Sequence, residues 1–197
     1  SVYIKQLDRY RKIRIYLPPN YADTERAYPV IHMCDAQNLF DDKTSYVGEW
    51  NADEILDSLF DAAGIELIVV GIDHGGMKRI DEYCPWYHIK ICLHPEDAVR
   101  LGDFVVNDLK PMIDSIYRTY PEKENTAIIG GSVGGIFAPY MLFEYPDVFG
   151  KAGIFSPSYW ISEEIYSFTE SKSFEETLRF LILIEGKKMK SQVRLVQ

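Results

Sequence analysis

Cysteine is scarce, with three in 197 residues. An odd, small number cannot supply the disulfide framework that a small extracellular scaffold leans on, so a reducing compartment is expected. The start, Ser1-Val2-Tyr3-Ile4-Lys5, has neither the basic flank nor the apolar stretch of a secretory leader. Together these point to the cytoplasm. Basic side chains are also short: 21 Lys and Arg stand against 30 Asp and Glu, a net charge of -9. That deficit excludes a nucleic-acid groove and a binder of anionic membranes, since both need a cationic surface. No apolar run approaches the ~20 residues of a membrane-crossing helix. Repeats and low-complexity tracts are missing as well. What is present is 47% hydrophobic and 14% aromatic residues, enough for one packed core, so residues 1–197 are expected to form a single domain.

Apolar patterning alternates between two periods. Residues 11–17 read as a strand halted by Pro18-Pro19, and residues 28–34 as a second. Residues 49–63 carry Ile55, Leu56, Leu59, Phe60 and Ala63 at helical spacing before Gly64, a residue suited to a helix C-terminus. Residues 67–72 are almost wholly apolar, as in a strand buried on both faces. Further helices are expected over 101–117, 133–144 and 163–169, with strands over 126–129, 152–155 and 179–184. Such alternation implies an α/β fold, a mostly parallel sheet with helices on both faces. Residues 74–99 show no clear period and are expected to form a lid or a loop insertion.

The strongest chemical signal is Gly130-Gly131-Ser132-Val133-Gly134. It fits G-x-S-x-G, with an apolar strand before it and a helix after it. A serine on so sharp a strand-to-helix turn is thrust out at the carboxyl edge of the sheet, and small neighbours let the two backbones approach. The helix N-terminus adds N–H donors beside a developing oxyanion. Two other readings stay open on the motif alone, a tightly packed glycine turn and a phosphate-cradling loop. Against the second, no Lys-Ser/Thr follows and no G-x-G-x-x-G spacing occurs.

Further segments accompany this turn: Arg14-Ile15-Tyr16-Leu17-Pro18-Pro19-Asn20-Tyr21, Asp35-Ala36-Gln37-Asn38-Leu39-Phe40-Asp41, Glu49-Trp50, Val70-Gly71-Ile72-Asp73, Arg79-Ile80-Asp81-Glu82-Tyr83 and Phe155-Ser156-Pro157-Ser158-Tyr159-Trp160. In order and spacing they resemble the esterases of the α/β-hydrolase superfamily, the group with esterase D, feruloyl esterases and enterochelin-esterase-like enzymes. The resemblance covers about residues 11 to 186. It implies the three-layer α/β-hydrolase fold and a serine carboxylic-ester hydrolase working through an acyl-enzyme. It assigns Ser132 as nucleophile and the backbone N–H groups of Val133, Ala36 and Gln37 to the oxyanion hole. It implies no metal or organic cofactor, and a small-molecule ester as partner.

The remaining members of a triad are harder to find. The superfamily order is serine, acid, histidine, yet His32, His74, His88 and His94 all precede Ser132. His74, at the end of a strand on the ligand-binding edge, is the best internal candidate for a base, while His32 lies inside a strand and reads as a core residue. The stretch matching the family's acid turn is Glu185-Gly186-Lys187-Lys188-Met189, with Met189 near the acid's place and Glu185 as a displaced substitute. The resemblance therefore implies a chain cut short at its C-terminus, lacking the last strand. Residues 179–184 would then be a free edge able to pair in a homodimer.

Other residues are candidates for the cleft. Arg79 is expected to pair with a carboxylate and pin its loop beside the substrate, with Tyr83, Trp86 and Trp160 as substrate-binding side chains. The carboxylates of Asp73, Asp81 and Glu82 admit an acid–base reading. Cys84, His88, Cys92 and His94 could hold zinc, though at a spacing that matches no common zinc module. Two main readings follow, a serine esterase and a catalytically inactive hydrolase body used for binding. A zinc hydrolase is the third.

Overall fold

A computed structural model describes residues 1–46 and 48–172 in full, and the backbone of residues 179–186 and 189–196. The chain opens with a two-stranded hairpin, β1 (Val2–Ile4) and β2 (Arg9–Arg11), in which Tyr3 faces Tyr10. There follow β3 (Ile13–Tyr16), β4 (Val30–Cys34), α1 (Ala52–Ala63), β5 (Ile68–Ile72) and the five-residue α2 (Arg79–Tyr83). An unbroken helical run then comprises α3 (Glu96–Phe104), a π-helical turn (Val105–Leu109) and α4 (Lys110–Ile116). The second half holds β6 (Thr126–Gly131), α5 (Gly134–Glu144), β7 (Lys151–Phe155), α6 (Glu164–Ser171), β8 (Arg179–Gly186) and β9 (Met189–Val196).

Seven strands form the main sheet in the order β3-β5-β4-β6-β7-β8-β9. The five from β5 to β8 run parallel, and β3 and β9 close the two edges antiparallel. Side chains alternate across a strand, and the core divides accordingly. Val30 and Cys34 of β4 and Val70 of β5 join Leu101, Phe104, Leu109, Ile136 and Phe137 from α3, α4's approach and α5. Met33 and Val69, one residue out of phase, meet Ala36, Leu39, Trp50 and Leu56 on the opposite face, under α1. Helices therefore cover both faces, as the apolar runs foretold. Among the described residues, no helix is long and apolar enough to cross a membrane.

Within residues 74–99, the stretch expected as a lid or a loop insertion, Tyr83, Cys84, Cys92 and Ala98 are buried in the main core. Two expectations change. The helix expected from residue 101 starts at Glu96. The sheet does not stop at β8 either. Residues 189–196 return antiparallel along it, with Gly186 opposite Met189 and Phe180 opposite Val196. Residues 179–184 are thus not a free edge, and the dimer drawn through them loses its premise, since β9 already takes their outward hydrogen bonds.

The core contains one polar misfit. His32, in β4, is fully buried, sits edge-on to Phe149 with ring centroids 5.7 Å apart, and among the described residues has no hydrogen-bond partner on either ring nitrogen. Burial, with Lys110 adding to it, lowers its pKa to about 4. A histidine of ordinary pKa near 6.5 in the unfolded chain then takes up a proton before the folded one does. Stability falls as pH drops from 6.5 towards 4, by an amount on the order of 3 kcal/mol for this group. His32→Leu, which removes both orphan nitrogens, is expected to flatten that part of the urea-unfolding pH profile without loss of stability at pH 7. An unchanged profile would rule out His32 as its source.

Candidate active site

The carboxyl ends of β4, β5, β6 and β7 open onto one rim, where open parallel sheets bind ligands. At the end of β6 the chain turns abruptly into α5. Ser132, at the bend, has φ +56° and is exposed. Gly130 makes the bend possible, since a Cβ there would lie 2.0 Å from the Gly134 carbonyl oxygen. The strained serine is tied on both sides of its peptide. Its N–H donates to the Phe155 carbonyl at 3.0 Å, and its carbonyl accepts from Ser158 N–H at 3.0 Å and Gly135 N–H at 3.1 Å.

The turn after β4 lies against the same helix end. A Cβ on Gly134 would sit 3.2 Å from Cys34 Cβ and 3.5 Å from Asp35 Oδ2. Here the left-handed residue is Asp35 (φ +57°), so Ala36 needs no special backbone, and its buried methyl fits against Gly71. Among the described residues, the N–H groups of Val133, Ala36 and Gln37 donate to no protein acceptor. Gln37 instead uses its side-chain oxygen to accept His74 N–H at 3.2 Å, which joins this turn to the end of β5.

Arg79 holds the two turns together. Its Nε and Nη2 donate to the two oxygens of buried Asp35 at 2.7 and 2.8 Å, and Nη2 also reaches the carbonyl of Gly131 at 3.4 Å. Tyr83, one helical turn on, accepts Asp35 N–H at 3.2 Å on its hydroxyl. Burial, reinforced by Asp35, keeps that hydroxyl protonated well beyond neutral pH. A five-residue helix is too short to form unaided. α2 is anchored by Glu82, fully buried, which accepts from Arg11 at 2.9 and 2.6 Å and from Arg9 at 3.0 Å.

These contacts reassign several expected site residues. Tyr83 is buried under the Asp35 turn and lines no open cleft. Trp86 packs edge-on against Tyr140 and Phe168 at 6.1 and 5.3 Å. Trp160 is 71% exposed on the loop after β7. The acid–base reading of the neighbouring carboxylates fails, as each is occupied. Glu82 is held as described, Asp73 is gripped by Arg14 at 2.7 and 3.2 Å, and Asp81 accepts the N–H groups of Leu93 and His94. His74 Nδ1 accepts Gly76 N–H at 2.9 Å, and burial lowers its pKa, so the ring is neutral with its hydrogen on Nε2. Glu185 falls within β8, and its side chain lies outside the described residues.

The four candidate zinc ligands are not gathered. Cys84 donates to the Trp86 carbonyl, Cys92 to the Cys84 carbonyl, His88 Nδ1 accepts from Lys90 N–H, and His94 faces Glu96. Among the described residues, the acidic or thiol side chains that converge are Glu49, Asp53 and Glu54, on and before the start of α1. Ser158 joins the site although sequence reasoning assigns it no role. Its hydroxyl lies 3.2 Å from Ser132 Oγ, and the Ser-Pro-Ser segment was the available clue.

A seven-stranded, mostly parallel sheet between helical layers, with a strained serine on the turn out of β6, is the α/β-hydrolase fold. Residues 4–183 match the family model described as "Putative esterase", and the chain belongs to that family. An uncharacterized Bacillus subtilis protein, YbbA, is 30% identical over 155 residues, covering 76% of this chain and 58% of its own. An IroE-like serine hydrolase from Shewanella oneidensis superposes with TM-score 0.68 at 25% identity, covering 84% of this chain and 52% of that one. The enterobactin esterase FES from Shigella flexneri shares the fold with TM-score 0.67 at 20% identity, over 89% of this chain and 42% of that one. The chain thus spans somewhat over half the length of the curated relative.

Removing Arg79 strands a buried carboxylate between the two turns. Arg79→Ala is expected to cost about 2–4 kcal/mol in urea unfolding. Asp35→Ala/Arg79→Ala should recover part of that loss, because no unpaired charge is left behind. Additive losses would mean that the pair is not coupled.

Proposed function

We propose that this chain is the body of a serine ester hydrolase. Ser132 Oγ attacks the ester carbonyl carbon, and the carbonyl oxygen, now an alkoxide, accepts from the N–H groups of Val133 and Gln37. The alcohol leaves with a proton as the acyl group stays on Ser132, and water then releases the acid. One observation carries this reading: an exposed serine in the left-handed region, beside unused backbone donors from two turns. Oxyanion donors of this kind are worth roughly 3–4 kcal/mol each in acyl transfer.

A base for the Ser132 proton is the open part. Among the described residues no imidazole hydrogen-bonds Ser132 Oγ, which faces the Ser158 hydroxyl. His74 presents an N–H on Nε2 and has its lone pair at Nδ1 engaged by Gly76, so as placed it is a poor acceptor. That observation favours the second reading, an inactive hydrolase body that binds rather than turns over. Without an activated triad, roughly 10³–10⁴-fold of rate enhancement remains from binding and the oxyanion hole.

A fluorophosphonate probe separates the two. An activated Ser132 is labelled within minutes, Ser132→Ala is not labelled, and p-nitrophenyl acetate turnover disappears in the same variant. The esterase reading predicts this pattern; absence of labelling in the unmodified chain supports the binding body. Labelling that persists in Ser132→Ala would sink the assignment of Ser132.

A further inference from the structure

Ser158 stands where a polar group has consequences for the reacting oxygen. It lies on the loop after β7, is buried, and is fastened to the elbow through its backbone, its N–H donating to the Ser132 carbonyl at 3.0 Å. Its own carbonyl accepts from Ile161 N–H at 2.9 Å. Pro157, just before it, meets Gly135 so closely that a Cβ on that glycine would lie 3.0 Å from the proline Cα. Loop and elbow are therefore packed directly against each other. The Ser158 hydroxyl is held 3.2 Å from Ser132 Oγ.

We infer that Ser158 is a further catalytic residue, whose hydroxyl donates a hydrogen bond to Ser132 Oγ and sets the nucleophile's orientation. The inference rests on the reading of Ser132 as nucleophile. Its direction follows from accounting for protons. A buried hydroxyl left without an acceptor costs about 1–3 kcal/mol, and among the described residues the acceptor within reach of Ser158 is Ser132 Oγ. Ser132 is exposed and can give its own hydrogen to the open side. The Ser158 donor therefore occupies a lone pair on the inner side and turns the Ser132 proton outward, towards solvent or a base. When that proton departs and the Oγ–carbon bond forms, Ser158 keeps its proton and no bond to it breaks. While negative charge develops on Oγ the hydrogen bond becomes charge-assisted, and such bonds are about twice as strong as neutral ones.

Ser158→Ala and Ser158→Thr test this, with urea unfolding to show that both fold. The alanine variant is expected to be labelled by a fluorophosphonate about 10-fold more slowly, the loss of one hydrogen bond to a developing charge. The inflection in its labelling-rate pH profile should move upward, and the threonine variant should restore both. An arm independent of reactivity uses the Hα–Hβ couplings of Ser132 by NMR. They should report one rotamer in the unmodified chain and an average in Ser158→Ala. Equal labelling with an unmoved pH profile, or Ser132 couplings unaffected by the alanine, overturns the inference. Failure of the unmodified chain to be labelled counts instead against the esterase reading, and the couplings then decide the role of Ser158 alone.

Discussion

The ion pair between Arg79 and Asp35 is the constraint on which the site depends. Asp35 sits on the turn after β4 and Ser132 on the turn after β6. Arg79 spans them by donating to both carboxylate oxygens of Asp35 and to the carbonyl of Gly131, the residue before the serine. A planar guanidinium suits this, because its donors diverge in fixed directions that one ammonium could not match. Asp35 is buried, so the pair is only weakly screened, and losing one member leaves a charge that water cannot reach. What the pair secures is the register between the turn after β4 and the turn after β6.

Backbone strain gathers at the same rim. Of the five non-glycine residues with positive φ among those described, Asp35, Ser132 and Ser156 lie on the turns after β4, β6 and β7. Each costs on the order of 1–2 kcal/mol relative to an ordinary conformation. The cost at Ser132 is offset by three backbone hydrogen bonds that grip its peptide. Strain of this sort survives only where the surroundings over-determine the conformation. Here the surroundings are the parallel strands β4, β6 and β7, which cannot slide without reversing which side chains face the core.

Much of the architecture could be read from the chain. Ile68 to Ile72 are apolar enough to be buried on both faces, Val30 to Cys34 read as a further strand, and residues between the strands have helical spacing. The serine turn was legible because its geometry needs small residues at fixed places, and Gly130 and Gly134 stand there. The errors fall where contacts are distant in sequence. Residues 74–99 lack periodicity, yet they fold inward because Glu82 is gripped by Arg9 and Arg11, about 70 positions away. Tyr83 looked like a cleft residue by its neighbours and is buried under Asp35. The sheet edge was misplaced since residues 189–196 are too polar to announce a strand, and hydrogen bonding along β8 supplies what their composition does not.

Local chemistry alone therefore determined the class of fold, the bend at Ser132 and the acidic net charge of -9. Each of these follows from residues adjacent in sequence or from composition summed over it. Tertiary structure decided the partners of the charged and hydroxyl groups: Arg79 with Asp35, Glu82 with two arginines, Ser158 with Ser132, and His32, among the described residues, with none. The reason is physical. Apolar periodicity repeats every few residues, whereas a hydrogen bond or ion pair depends on two atoms meeting at about 3 Å, a distance set only when separate strands are aligned side by side.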